Sequence, residues 1–103
     1  MRPPYAEYVK SAMRFYARNR LASIPQEPKF RCDADKKNWA ACEAAMKELS
    51  EQDKELALKI YSYSDTLADN VYQIAREQNV NQNHLWDLVN TVEKRFAKRR
   101  GLI

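Results

Sequence analysis

The amino-acid sequence predicts an all-α protein. Its four prolines stand at positions 3, 4, 25 and 28, and it has one glycine, so long stretches contain no helix breaker. Within those stretches hydrophobic residues recur at spacings of three and four, the period of one face of an α-helix. With 103 residues, 45% of them hydrophobic and 31% charged, the chain suits one small folded domain with a single core.

The first half of the chain predicts two helices separated by a linker. The first helix covers residues 3–22, because proline is tolerated in the first turn of a helix. Residues 23–33 form the linker, since two prolines and mixed charges interrupt any helical period. The second helix covers residues 35–49. The apolar stripes comprise Tyr5, Val9, Ala12, Met13 and Tyr16 in the first helix and Trp39, Cys42, Met46 and Leu49 in the second.

The second half predicts three further helices. Ser50 followed by Asp53 resembles a capping signal for a third helix, and the spacing of Leu56, Ile60 and Tyr63 continues that helix to about Tyr63. The fourth helix extends to Gln78 and the fifth to about Arg99; the N-cap candidates are Ser64, Asp65 and Thr66 for the fourth and Asn81 and Asn83 for the fifth.

Residues 71–90, VYQIAREQNVNQNHLWDLVN, have the residue types of a tight helix-turn-helix. Ala75 is small enough to lie where two helices approach most closely. Asn79 follows four residues later, where the chain must turn sharply, and asparagine tolerates the left-handed backbone conformation that usually selects glycine. Val80 fills the corner. The apolar residues that close the unit are Ile74, Leu85 and Leu88.

The other faces of the fifth helix offer a polar surface for reading DNA. Glutamine and asparagine suit bidentate hydrogen bonds with adenine edges in the major groove. Trp86 also suits packing across a helix interface, and a lone surface histidine often has no function. The candidates for base-edge contacts are Gln82, Asn83, His84, Trp86, Asp87 and Asn90.

The net charge of +4 is unevenly distributed. Residues 1–22 carry five basic and one acidic side chain, residues 23–90 carry eight and twelve, and residues 91–103 carry five and one. The three segments therefore have charges of +4, −4 and +4. Basic residues beside a recognition helix attract phosphates without sequence preference, although they also complement the helix dipole. The candidates for contact with the DNA backbone are Lys94, Arg95, Lys98, Arg99 and Arg100.

From Leu49 to Ile103 the chain resembles the C-terminal promoter-binding domain of bacterial sigma factors and of related phage regulators of late transcription, the ArpU and RinA type. The family usually carries glycine in the turn, where this chain has Asn79. The resemblance implies a trihelical helix-turn-helix domain over residues 49–103, preceded by a helical segment over residues 1–48 that contacts a dimer partner or another protein. The matching elements are Leu49, Asp53 to Tyr61, Ile74 with Ala75, Asn79 with Val80, and Leu85 to Arg100.

The residue inventory predicts a protein that is not an enzyme and binds no metal or cofactor. One histidine and one glycine supply neither a nucleophile with a matched base nor a glycine-rich phosphate loop. Cys32 and Cys42 fall short of the four ligands of a structural zinc site, and Cys42 suits a buried helical position. No stretch resembles a signal peptide or a membrane span, so we expect a cytoplasmic protein without membrane contact.

These patterns favour a DNA-binding transcriptional regulator, encoded by a phage or prophage, that reads double-stranded DNA. A single module of this kind buries little surface, so useful affinity requires a homodimer through residues 1–22 and 35–49 or a contact with RNA polymerase. Two alternatives remain at this point. One is a helical protein-interaction module without nucleic-acid function, and the other is a small terminase-type subunit that recognises phage DNA for packaging.

Overall fold

A computed structural model describes residues 2–22 and 28–103 of the protein. Within these ranges the chain forms helices and no β-strand, which confirms the all-α prediction. No helix among the described residues has the length and apolar character that a membrane crossing requires. The helices are α1 (Ala6–Arg20), α2 (Asp33–Met46), α3 (Glu51–Ser62), α4 (Leu67–Gln78) and α5 (Gln82–Arg99).

The first two helices differ from the predicted bounds by a few residues. Pro3 and Pro4 precede α1 instead of forming its first turn, and the Pro3 carbonyl accepts a hydrogen bond from the Ala6 amide. The α2 helix starts two residues before the predicted Asp35, with Asp33 in its first turn, where a carboxylate complements the helix dipole. Leu49 lies beyond the end of α2, in the connection to α3. Residues 23–27 of the predicted linker lie outside the described residues.

All five helices contribute to one hydrophobic core. The stripes predicted for the first two helices are largely buried in it, with Tyr5, Ala12, Trp39 and Leu49 half-buried at its edge. The prediction that Cys42 is a buried small hydrophobe is confirmed. Leu56 and Ile60 are buried as predicted, whereas Tyr63 is exposed, and Tyr61 is the tyrosine of α3 that enters the core. The segment before residue 49 therefore shares its core with the segment after it.

A buried asparagine fixes the connection between α3 and α4. The Asn70 amide donates hydrogen bonds to the carbonyl oxygens of Ile60, at 2.7 Å, and of Ser64, at 2.8 Å. The Ser64 hydroxyl donates to the Asn70 side-chain oxygen at 2.6 Å, and it accepts from the Thr66 amide at 3.2 Å. Thr66 is the N-cap residue of α4, although its side chain makes no capping bond. These bonds give partners to carbonyl groups at the end of α3 and thereby join the start of α4 to it.

The turn between α4 and α5 has the conformation that the sequence predicts. Asn79 adopts left-handed backbone angles, with φ of 53° and ψ of 47°. The Val80 amide donates to the Ala75 carbonyl oxygen at 3.1 Å, which closes the end of α4. Asn81 then caps α5, because its side-chain oxygen accepts from the Asn83 amide at 2.7 Å. Three residues thus connect the two helices.

Candidate nucleic-acid interface

The α5 helix packs against each of the other four helices and still presents one polar side to solvent. Its buried side includes Leu85, Leu88, Val92 and Phe96. The opposite side carries exposed residues at successive spacings of four, three, four and four, which place them on one helical face. We call this face the outward stripe; it consists of Asn83, Asp87, Asn90, Lys94 and Lys98.

The side chains of the outward stripe do not compete for partners among the described residues. None of its five side chains forms a hydrogen bond or an ion pair with another residue in the described ranges. Gln82, at the start of α5, and Arg99, at its end, are also exposed. None of the large hydrophobic residues exposed in the described part of the chain belongs to α5. A polar ligand therefore reaches these groups without displacing an internal partner.

The length of the stripe separates its amides from its lysines. At a rise of about 1.5 Å per residue, Asn83 and Asn90 lie roughly 10 Å apart along the helix. Lys94 and Lys98 lie roughly 16 and 22 Å from Asn83 on the same scale. The separation of the amides is therefore within the roughly 12 Å width of a DNA major groove, whereas the lysines lie farther from Asn83 than that width.

Two of the predicted base-edge residues make contacts inside the protein. The His84 imidazole lies 3.0 Å from the Asp53 carboxylate, and this contact joins the first turns of α5 and α3. Trp86 is half-buried, and the Arg2 guanidinium carbon lies 5.3 Å from its ring centroid. The structure therefore places Gln82, Asn83, Asp87 and Asn90 free on the surface, and His84 and Trp86 at its margins.

The residues predicted to contact the DNA backbone also fall into two groups, one with partners inside the protein and one exposed. Arg95 donates to the Ala45 carbonyl oxygen of α2 at 3.3 Å and lies 3.9 Å from the Glu48 carboxylate. Arg100 donates to the Asn38 side-chain oxygen at 2.7 Å and to the Tyr8 hydroxyl at 3.3 Å, which lowers the pKa of Tyr8. These arginines hold α5 against α2 and α1. The exposed Lys94, Lys98 and Arg99 have no such partners among the described residues.

Sequence reasoning did not anticipate the pair of Glu93 and Arg2 beside the outward stripe. Glu93 is only 2% exposed and forms an ion pair with Arg2, which comes from the segment before α1. A carboxylate between Val92 and Lys94 gives no local sign of burial, since glutamate is common on exposed helical faces. Glu93 lies seven residues after Trp86, a spacing that places both side chains on the same side of α5. This spacing is the sequence feature that could have indicated the position of Glu93.

A second surface feature lies between α1 and α2. Tyr8 and Phe15 are 43% and 42% exposed, and they line a cleft of about 650 Å³ with Trp39 at its side. Phe15 and Phe30 both meet the Trp39 ring edge to face, at centroid distances of 6.1 and 6.0 Å. Apolar groups of this size at a surface are typical of contacts with another polypeptide.

Comparison with protein-family models, with curated proteins and with solved structures finds no match. The assignment of a function therefore depends on the geometry of α4, α5 and the residues around them.

Proposed function

We propose that the protein binds double-stranded DNA, with α4, the turn at Asn79 and α5 acting as a helix-turn-helix and α5 as its recognition helix. The observation that supports this proposal is the outward stripe, in which free amides precede free lysines on one helical face. Amides read base edges in the major groove, and lysines bind phosphates without sequence preference. In this role Gln82, Asn83, Asp87 and Asn90 face bases, and Lys94, Lys98 and Arg99 face the backbone.

A role in transcription regulation, as in the phage regulators that the sequence resembles, follows from this proposal. The inward stripes of α1 and α2 belong to the core, so a homodimer or an RNA polymerase contact would use their outer faces. The cleft beside Tyr8, Phe15 and Trp39 is an apolar feature available there. DNA packaging in the manner of a small terminase subunit uses the same α5 surface and differs in the partner that the cleft binds.

The competing proposal is a protein-interaction module without affinity for DNA. The cleft supports it, whereas the outward stripe does not, because α5 exposes no large hydrophobic residue. If this alternative is correct, Phe15→Ser abolishes partner binding and substitutions on the stripe have no effect on it. If the DNA proposal is correct, Phe15→Ser leaves binding to short duplex DNA by the isolated monomer unchanged.

Fluorescence anisotropy with random duplex DNA at low and moderate salt tests the proposal. Sites selected from a random library by the unaltered protein then provide the specific duplex. Replacing Gln82 and Asn83 together by alanine is expected to retain binding to random duplex and to reduce preference for the selected site, because base-edge contacts carry the sequence information. Absence of salt-sensitive binding at micromolar protein, with and without the partner, would contradict the proposal.

A further inference from the structure

Three side chains meet where the segment before α1 lies against α5. The Arg2 guanidinium pairs with the Glu93 carboxylate and lies 5.3 Å from the centroid of Trp86. The Arg2 side chain is 40% exposed, whereas that of Glu93 is 2% exposed. The guanidinium is therefore held from one side by a buried carboxylate while part of it remains open to solvent.

The buried Glu93 carboxylate depends on Arg2 as its charged partner. Burial raises the pKa of its carboxyl, and the charge and hydrogen bond of Arg2 oppose that rise. Arg2 is its hydrogen-bonding partner, and the neighbouring Tyr61 hydroxyl is buried with no hydrogen-bond partner among the described residues. A buried carboxylate without a partner is costly, so Glu93 keeps the guanidinium beside Trp86.

Trp86 lies directly beside the outward stripe. On α5 it is three residues from Asn83 and four from Asn90, and residues at these spacings are neighbours on a helix surface. Arg2, over the Trp86 ring, therefore adds a cation at the edge of the amide region. The two cations of the outward stripe, Lys94 and Lys98, lie toward the end of α5. The part of the stripe nearest the start of α5 has no cation of its own.

If the protein binds DNA as proposed above, its Arg2 side chain lies where it can reach the DNA backbone. We propose that Arg2 is a further contact to that backbone and that Glu93 restrains the Arg2 guanidinium. A guanidinium carries five N–H donors in a planar fork, so it bonds a phosphate with the edge that Glu93 does not use. The Glu93 carboxylate offsets the positive charge of Arg2 and holds the guanidinium in place. Glu93 thereby limits the affinity of the recognition helix for phosphates in general and sets where Arg2 meets the backbone.

Two variants isolate the contribution of Arg2. Glu93→Gln and the double variant Arg2→Gln with Glu93→Gln both lack the buried charge, so they differ only in the arginine. We expect Glu93→Gln to bind random duplex DNA more tightly than the unaltered protein, because no carboxylate then offsets the positive charge of Arg2. The double variant is expected to bind roughly tenfold more weakly than Glu93→Gln at low salt, and its log–log salt slope should be smaller by about 0.9.

A matched control separates the Arg2 contact from net charge. Arg18 is exposed on α1 and has no ion pair among the described residues. Glu93→Gln with Arg18→Gln has the same net charge as the double variant and should bind DNA like Glu93→Gln alone. Circular dichroism and a denaturation midpoint establish that each variant is folded before its affinity is compared.

Equal affinity and equal salt slope for Glu93→Gln and the double variant would overturn the inference and leave Arg2 with a purely structural role. If that result occurs while alanine at Lys94 and Lys98 still weakens binding, the proposed function stands and only the role of Arg2 fails. If no variant and no unaltered protein binds duplex DNA in a salt-sensitive way, both proposals fail together.

Discussion

On its inward flanks, α5 carries Arg95, which donates to α2, and Glu93, which pairs with Arg2; Arg100, directly after α5, also donates to α2. On the outward stripe, Asp87, Lys94 and Lys98 make no ion pair with any described residue. The two sets of charges lie on the same helix. The paired charges position the helix, whereas the free charges and amides are available to a ligand.

The largest effect is expected from the buried side of α5. Phe96 is fully buried and meets Tyr8 edge to face at 6.2 Å, so Phe96→Ala leaves a cavity and should lower the free energy of unfolding by about 3–5 kcal/mol. Asn90→Ala, on the outward stripe, is the matched comparison and should change it by less than about 0.5 kcal/mol. Urea denaturation measures both. Similar losses for the two variants would contradict the assignment of the two sides.

A smaller loss of stability is expected where α4 meets α5. Ala75 is half-buried against the core and accepts the Val80 amide at its carbonyl, so Ala75→Leu forces extra volume between the helices. Overpacking of this kind costs about 1–3 kcal/mol. Ala40→Leu is the control, because Ala40 is exposed in α2. An unchanged urea midpoint for Ala75→Leu would show that the helices do not approach closely at this residue.

The ion pair between Arg2 and Glu93 should give a loss that depends on pH. Arg2→Gln leaves Glu93 without its partner, and at neutral pH the expected cost is about 1–2 kcal/mol, less than for a fully buried pair because Arg2 is 40% exposed. Removing Arg2 also raises the pKa of Glu93 further, since Arg2 is the group that lowers it.

The sign of that pH dependence follows from the raised pKa. The Glu93 carboxyl favours the folded state most when protonated, and this contribution is lost as the pH rises through the folded-state value. The penalty of Arg2→Gln should therefore shrink as the pH falls from 7 toward about 4, below which glutamate is protonated in both states. Arg2→Gln combined with Glu93→Gln should lack this dependence. If Arg2→Gln lowers the free energy of unfolding equally at pH 7 and at about pH 4, the destabilisation does not come from loss of the ion pair with Glu93.

Local sequence patterns predict the helices and the turn well, because their causes are local. The left-handed Asn79, the Ser50 cap of α3 and the Asn81 cap of α5 each depend on neighbours within a few residues. The six candidates for base contact all lie on α5, and four of them are free on its surface.

Which charged side chains of α5 are paired and which are exposed could not be predicted in the same way, because the pairing depends on residues distant in sequence. Arg2 and Glu93 are 91 positions apart, and Arg100 and Asn38 are 62 apart. A run of basic residues at the end of α5 looks uniform in the sequence, although Arg95 and Arg100 turn toward α2 and Lys94 and Lys98 turn to solvent. The packing of whole helices decides which charges remain available.

The salt dependence of binding to random duplex DNA tests most directly whether the outward stripe contacts DNA. Replacing Lys94 and Lys98 by alanine should weaken binding and reduce the log–log salt slope by about 1.8, or about 0.9 for each lost phosphate contact. Lys36→Ala with Lys47→Ala removes the same charge from exposed positions of α2 and just beyond its end, and should leave the slope nearly unchanged. Equal slopes for the two double variants would contradict the assignment of α5 as the DNA-contacting helix.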